Sequence, residues 1–129
     1  MSTRQGDRTR RLNRRQADQV IRDRYARGYA HWPEYRIEGK LPLVRGRRLR
    51  VTGERGWFVF VDAGRDSGGE FLNCCGPFSK NSTEIHGNAR AFAPDRVIKV
   101  ERQLQPATSE VETMGERAER LGLNRGESS

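Results

Sequence analysis

The segment 53–62 reads Gly-Glu-Arg-Gly-Trp-Phe-Val-Phe-Val-Asp, and it decides the fold of this chain. Its first four residues include the two glycines of a tight connection between strands. The run from Trp57 to Val61 then places apolar side chains on both faces of an extended strand, because successive side chains point to opposite sides. Such a strand has to be covered on both faces, so it belongs inside a folded sheet.

A pattern of period two continues on both sides of this segment. In residues 48–52, arginine and threonine alternate with leucine and valine, which predicts a strand with one solvated face. Further strands are predicted at 70–75, 89–93 and 97–102, with a loop at 63–69, a break at Gly76-Pro77 and a corner at 94–96. Five short strands this close together favour a small barrel, since a flat sheet leaves an apolar face and open edges exposed.

A helix is predicted ahead of these strands. Asn13 and Gln16 have the spacing of a capping box, and the apolar residues that follow recur at helical intervals as far as Tyr25. Pro33 sets the latest boundary, because the residue before a proline leaves the helical region. The sequence therefore predicts an amphipathic helix over 13–32.

The two ends of the chain are predicted to be flexible. Residues 1–12 are polar and rich in arginine, without apolar periodicity, which is typical of a disordered basic arm. Residues 104–129 form an acidic tail in which Ser109 and Glu112 have the spacing of a second capping box. This tail is predicted to be partly helical or disordered.

The order of these elements resembles a known architecture. The predicted order looks like that of the small SH3-like barrels of the KOW and Tudor-like kinds. It consists of a first strand, the tight turn 53–56, an aromatic second strand and a third strand. A strand, a 3-10-like corner and a last strand follow over 90–100. Segment 53–58, together with Arg-Ala-Phe-Ala-Pro-Asp-Arg-Val at 90–97, is also similar to an uncharacterised family of short actinobacterial phage proteins. The resemblance covers residues 41–103 and implies a mainly β protein, a five-stranded SH3-like barrel. Such barrels bind RNA, DNA, peptides or proteins, so the resemblance leaves the ligand open.

The positive charge is carried by arginine and is concentrated near the N-terminus. Of the 25 basic residues 22 are arginines, and the formal net charge is +8. Nine arginines and three aspartates precede residue 29, whereas residues 104–129 hold three basic and five acidic residues. A basic front end and an acidic tail are typical of a protein that approaches a polyanion. A GC-rich genome also favours arginine, so placement is better evidence than abundance.

Nucleic acid is the predicted partner, because guanidinium groups pair with phosphates bidentately and stack on bases. The candidate phosphate contacts on the arm, the helix and the first barrel strand are Arg8, Arg10, Arg11, Arg14, Arg15, Arg22, Arg45, Arg47, Arg48 and Arg50. Tyr29, Trp32 and Tyr35 stand among arginines and are candidates for stacking on unpaired bases. Two alternatives stay open: the arginines form a solvated charge run, and the aromatic residues pack the helix onto the barrel.

The sequence predicts no catalytic site, no metal and no cofactor. Cys74 and Cys75 are adjacent, so in a strand they point to opposite faces and form no ordinary disulfide with each other. His31 and His86 do not complete a zinc site with them, and neither histidine has an identifiable catalytic partner. The chain lacks a signal peptide and the ~20 apolar residues of a membrane helix, which predicts a cytoplasmic protein without a membrane partner.

The predicted function is therefore a small, basic, non-enzymatic accessory protein that binds DNA or RNA with low sequence selectivity. The alternative is a protein-interaction module, such as a phage-encoded modulator of a host complex or a small assembly component. In that case the barrel groove or the acidic tail contacts a host or phage protein. The oligomeric state stays open.

Overall fold

The computed structural model of the chain describes residues 13–79, 88–104 and 112–123. The arm predicted at 1–12, with Arg8, Arg10 and Arg11, lies outside the described residues, as do His86 and Ser109. The described elements are α1 (Arg14–Ala26), β1 (Ala30–Trp32), β2 (Arg47–Val51), β3 (Trp57–Asp66), β4 (Gly69–Phe78), β5 (Asn88–Phe92), a 3-10 turn (Pro94–Arg96), β6 (Val97–Leu104) and α2 (Met114–Arg120). No helix within these ranges is long and apolar enough to cross a membrane.

The six strands form one antiparallel sheet, which confirms the prediction of a mainly β protein with an N-terminal helix. The strand order is β5-β4-β3-β2-β6, and β1 pairs with the second half of β3. Strand β3 is central, because β2 lies beside its beginning, β1 beside its end and β4 along its whole length. The prediction of five strands is wrong by one, since the three residues of β1 are too few to show a periodic pattern. Among the described pairings, none joins β5 to β6.

Strands β3 and β4 are longer than the sequence predicted, at ten residues each. The predicted loop at 63–69 is mostly strand: β3 continues to Asp66, and β4 begins at Gly69 and continues through Gly76-Pro77. Gly64 explains part of the error, because a Cβ there would lie 2.6 Å from the Phe71 ring. This glycine permits close packing inside a strand and does not mark a loop.

Helix α1 begins where the sequence predicts. The Gln16 N–H donates to Asn13 Oδ1 at 2.8 Å and the Asn13 N–H to Gln16 Oε1 at 3.0 Å, which confirms the capping box. The predicted extension over 13–32 is wrong, because the helix ends at Ala26. Gly28 has a φ of +100°, a conformation that ends a helix, and the chain then enters β1.

The inner face of the curved sheet holds the main core. Alternate residues of β2 and β3 point into it, and Phe58 meets Phe92 edge to face with ring centroids 4.8 Å apart. The buried members of this cluster are Leu43, Leu49, Val51, Phe58, Phe60, Ala63, Leu72, Cys74, Phe92 and Val97. Each large side chain buried here contributes roughly 1.5–3 kcal/mol of transfer free energy. The loop between β1 and β2 packs against the same cluster through Tyr35 and Ile37.

The outer face of the sheet is the one that bears Val59, Cys75 and His31. Val59 lies opposite Cys75, and these two residues form a smaller buried cluster with Phe78. Cys74 points to the inner core, so the two cysteines lie on opposite faces of the strand, as predicted. Because β3 carries apolar residues on both faces, this outer side also needs cover.

Helices α1 and α2 supply this cover at the end of the outer face where β1 pairs with β3. Ile21 of α1 and Ala118 of α2 are buried. The tail helix begins at Met114 with a capping box formed by Thr113 and Glu116, not by the predicted pair Ser109 and Glu112. The acidic tail is therefore helical over part of its length, as predicted.

An ion-pair cluster joins the two helices. Arg117 and Arg120 of α2 donate to Asp18 of α1 at 2.7 and 2.8 Å, and Arg120 also donates to Glu112 at 2.8 Å. The hydrogen bond from Arg120 is the main cause that lowers the pKa of Asp18 to about 2. Such a network of bidentate arginines fixes the helices more firmly than an isolated surface pair.

Gly56, in the turn before β3, and Gly39, in the loop between β1 and β2, are expected to differ in the stability lost on substitution by alanine. Gly56 and Gly39 both have positive φ, +78° and +82°, but only at Gly56 would a Cβ meet backbone, the Phe78 carbonyl oxygen at 2.5 Å. We expect Gly39→Ala to lower the free energy of unfolding by about 1–2 kcal/mol, the cost of the left-handed conformation. Gly56→Ala should lose a further ~1–3 kcal/mol through overpacking. Urea unfolding measures both values, and equal losses would contradict the close approach at Gly56.

The Asp18 cluster predicts a pH dependence of stability. We expect Asp18→Asn to lower the melting temperature at neutral pH, because it removes a carboxylate whose pKa folding lowers from 3.8 to about 2. Such a carboxylate stabilises the fold above about pH 4, and this contribution is lost as the pH falls through the folded pKa. The melting temperatures of the variant and the unmodified protein should therefore converge between about pH 4 and about pH 2, measured by circular dichroism.

Asp23→Asn is the matched control for this experiment. Asp23 lies on the same helix and accepts a hydrogen bond from Gln19. If Asp23→Asn lost as much stability as Asp18→Asn, with the same pH dependence, the ion-pair cluster would have no specific role.

Candidate nucleic-acid interface

Arg48, Arg50 and Trp57 form a cation–aromatic cluster on the outer face of the sheet. Leu49 and Val51 point into the inner core, so the two arginines between and before them point to the opposite side. Both guanidinium carbons lie 4.5 Å from the centroid of the Trp57 ring, within the range of a cation–π contact. We call these three residues the Trp57 patch.

The turn at 53–56 creates the patch by setting the register of β2 and β3. Leu49 lies opposite Phe58 and Arg48 opposite Val59. If this register continues by one residue toward the turn, Trp57 lies opposite Arg50. Arg48 precedes Arg50 by two residues, so its side chain is on the same face. The local sequence thus fixes both cations on one aromatic ring.

Arg48 and Arg50 differ from Arg45, Arg90 and Arg96, each of which is paired with a carboxylate. Within the described ranges, no Asp or Glu oxygen lies at ion-pair distance from either guanidinium. Five other described arginines are paired with acids: Arg45 with Glu116, Arg90 and Arg96 with Glu54, and Arg117 and Arg120 with Asp18 and Glu112. The positive charge of the Trp57 patch is therefore available to an anion.

The surroundings of the patch are also rich in donors. Lys99 of β6 lies opposite Arg50, and its ammonium group is paired with Glu101 at 3.2 Å. The indole N–H of Trp57 and the Nε–H of Arg48 are buried and have no acceptor among the described residues. The remaining N–H groups of the two guanidinium groups are of the kind that pair with the oxygens of an anion.

The structure separates the four arginines that the sequence grouped on the first barrel strand. Arg45 is neutralised by Glu116 at 2.8 Å. Arg47 donates to the Pro42 carbonyl at 3.1 Å. Only Arg48 and Arg50 belong to the Trp57 patch.

The helix arginines lie at the other end of the outer face. Arg14, Arg15 and Arg22 are exposed on α1, which contacts β1 through Tyr25 and His31. The backbone carbonyl of Arg14 also accepts a hydrogen bond from Arg117, at 3.5 Å. These three residues share the outer face with the patch without being part of it.

The aromatic residues proposed for base stacking make contacts within the protein. Tyr29 packs edge to face on Phe71, with ring centroids 6.5 Å apart. Trp32 and Tyr35 pack against the inner core, and the Tyr35 hydroxyl donates to Glu70. These positions favour the packing alternative over stacking on bases.

Sequence reasoning missed the role of Trp57. It treated this residue as core only, although an Arg-x-Arg pair facing an aromatic residue across a short turn was visible in residues 48–57. The signal that would have found it is the hairpin register, counted outward from the turn at 53–56.

A second polar cluster lies under the helices. The Tyr25 hydroxyl and His31 Nδ1 are 2.7 Å apart, and burial together with Arg24 lowers the pKa of His31 to about 4. Asp62 accepts hydrogen bonds from Asn73 at 2.7 Å and from the Gly115 N–H at 3.3 Å, and burial raises its pKa. His31 and Asp62 are only 2% and 4% exposed, and Asp62 is one of the residues that line the adjoining pocket.

A pocket of about 390 Å³ opens beside Asp62, between the outer face and the start of α2. Its apolar lining comes from Val61, Cys75, Ala89, Ala91 and Met114, and Asn73, Arg90, Glu112 and Thr113 add polar groups. The pocket lies next to the helices and does not include the Trp57 patch.

Comparisons of the chain with protein-family models, with curated proteins and with solved structures find no match. The chemistry of the site therefore has to supply the function.

Proposed function

We propose that this protein is a small, non-enzymatic accessory protein of the cytoplasm that binds nucleic acid through an SH3-like barrel formed by β2 to β6. The strand order supports this fold, because the last strand, β6, lies beside the first barrel strand, β2. The 3-10 turn at Pro94–Arg96 between the last two strands supports it as well. Barrels of this kind present charged groups on their outer strands to ligands.

The observation that carries the proposal is the Trp57 patch. Its two guanidinium groups stay charged at all physiological pH values and present planar sets of N–H donors that match phosphate oxygens. The Trp57 ring holds both groups in place, so binding costs less side-chain entropy than it would for free arginines. Arg48 and Arg50 are two residues apart on one strand, a spacing of about 7 Å. Two successive phosphates of one nucleic-acid strand have a similar separation.

The ligand recognised in this way is the sugar–phosphate backbone of DNA or RNA. Phosphate contacts position a protein without reading sequence, and the described aromatic rings are occupied by internal contacts. Low sequence selectivity follows. In this proposal the arm at 1–12 and the exposed arginines of α1 add attraction that screens with salt.

One observation favours the alternative of a protein-interaction module. The apolar pocket beside Asp62 has the size and lining of a site for a side chain or a small ligand. A phage-encoded modulator of a host complex, or a small assembly component, would use such a pocket for a host or phage protein. The pocket and the Trp57 patch are separate, so the two functions can be tested separately.

The double variant Arg48→Gln, Arg50→Gln tests the proposed function. We expect weaker binding to labelled duplex DNA, single-stranded DNA and RNA, because two phosphate contacts are lost. The slope of log affinity against log salt should become less negative by about 1 for each contact, and so by about 2 in total. Fluorescence anisotropy at several salt concentrations measures both quantities.

Arg36→Gln, Lys40→Gln is the matched control, because it removes the same charge from the segment that packs on the inner core. Arg48→Lys, Arg50→Lys preserves the charge and should retain most of the salt slope while losing bidentate contacts. Melting temperatures show whether each variant is folded. If the unmodified protein does not bind near physiological salt, or if the control loses as much affinity as the patch variant, the proposal is wrong.

A further inference from the structure

Strand β6 is an edge of the sheet with features of a pairing surface. Among the described strands it pairs only with β2, so the backbone groups of its other side have no neighbouring strand. It is eight residues long, and Ile98 and Leu104 are 58% and 60% exposed. Long edge strands with exposed aliphatic side chains are templates for pairing with another chain.

We propose that β6 pairs in antiparallel fashion with β6 of a second copy of this protein, forming a two-fold symmetric dimer. A two-fold axis perpendicular to the sheet at Val100 puts Lys99 of one copy opposite Glu101 of the other, and the symmetry repeats the pair. Opposite charges facing each other across antiparallel strands stabilise the pairing. The strand is therefore complementary to itself.

Charge also selects this register over its neighbours. An axis at Lys99 would place two Lys99 side chains opposite each other, and an axis at Glu101 would place two Glu101 side chains opposite each other. Like charges directly opposite are destabilising. Shifts by a single residue are excluded as well, because they would turn the buried face of one copy to the solvent side.

The dimer would join the two Trp57 patches. An antiparallel two-fold pairing keeps the outer faces of both sheets on one side, and β2 is the strand next to β6. The two Arg50 residues would then be three strand spacings apart, about 14 Å, with the two Lys99 residues between them. This consequence rests on the proposed function, whereas the dimer itself does not.

A charge-swap experiment on the full chain tests the dimer. Sedimentation equilibrium across a range of protein concentrations should show a monomer–dimer equilibrium for the unmodified protein. Lys99→Glu and Glu101→Lys each place like charges opposite each other and should weaken dimerisation by about tenfold or more. The double swap Lys99→Glu, Glu101→Lys restores opposite charges and should dimerise like the unmodified protein.

A mixture of the two single variants, Lys99→Glu and Glu101→Lys, is the most direct test of the pairing. One copy then has two acidic residues at 99 and 101 and the other has two basic residues, so a heterodimer should form where neither variant dimerises alone. Lys40→Glu controls for the change of net charge, and circular dichroism shows that each variant is folded. A monomer at all concentrations, or single variants that dimerise as strongly as the unmodified protein, would overturn the proposal.

Nucleic-acid binding measured on the same proteins distinguishes this inference from the proposed function. Dimerisation without binding leaves the dimer standing and contradicts the function. Nucleic-acid binding by a protein that stays monomeric supports the proposed function and contradicts the dimer. If both hold, Glu101→Lys should bind more weakly than the unmodified protein even though it adds a cation beside the Trp57 patch, because a dimer brings two patches to one strand or duplex.

Discussion

The apolar run from Trp57 to Val61 has to be covered on both faces, in a chain of which only 33% of the residues are hydrophobic. The inner face is covered by the main core cluster, which includes Phe58 and Phe60. No second sheet packs against the outer face among the described residues. Two short helices cover one end of it, and arginine side chains cover the ring of Trp57 at the other. The arrangement of the remaining elements follows from this shortage of apolar side chains.

Arginine therefore serves as a packing residue in this fold as well as a charge. Guanidinium groups lie over Tyr29, Trp32, Phe92 and Trp57, at 4.5–5.8 Å from the ring centroids. The aliphatic stem of arginine buries apolar surface while its head remains hydrated, so it can cover aromatic rings at the margin of a core in a chain with few hydrophobic residues. The abundance of arginine follows partly from this structural task, which its count in the sequence does not reveal.

The sequence predicted the elements whose signals are local. The Asn13 capping box, the strands of period two and the corner at 94–96 depend on residues within a few positions of one another, and the structure contains them. The prediction from sequence failed where a contact between distant residues determines the local structure. Gly64 looks like a loop residue unless Phe71 is known to pack against it. The sequence could not show which surface charges pair with each other for the same reason. Arg117, for example, donates to Asp18, which is 99 positions away in the sequence.

The candidate site arises where two arginines have no carboxylate at ion-pair distance among the described residues, not where arginine is most dense in the sequence. Arg45 precedes Arg48 by three residues, yet Glu116 neutralises it, whereas Trp57 holds Arg48 without cancelling its charge. An aromatic ring fixes a guanidinium and leaves its N–H groups able to bind an anion, and a carboxylate fixes it by using those groups. The contact that covers Trp57 therefore also prepares the site. Stability and binding should change together in arginine-to-glutamine variants, and only substitution by lysine, which preserves the charge, separates the two effects.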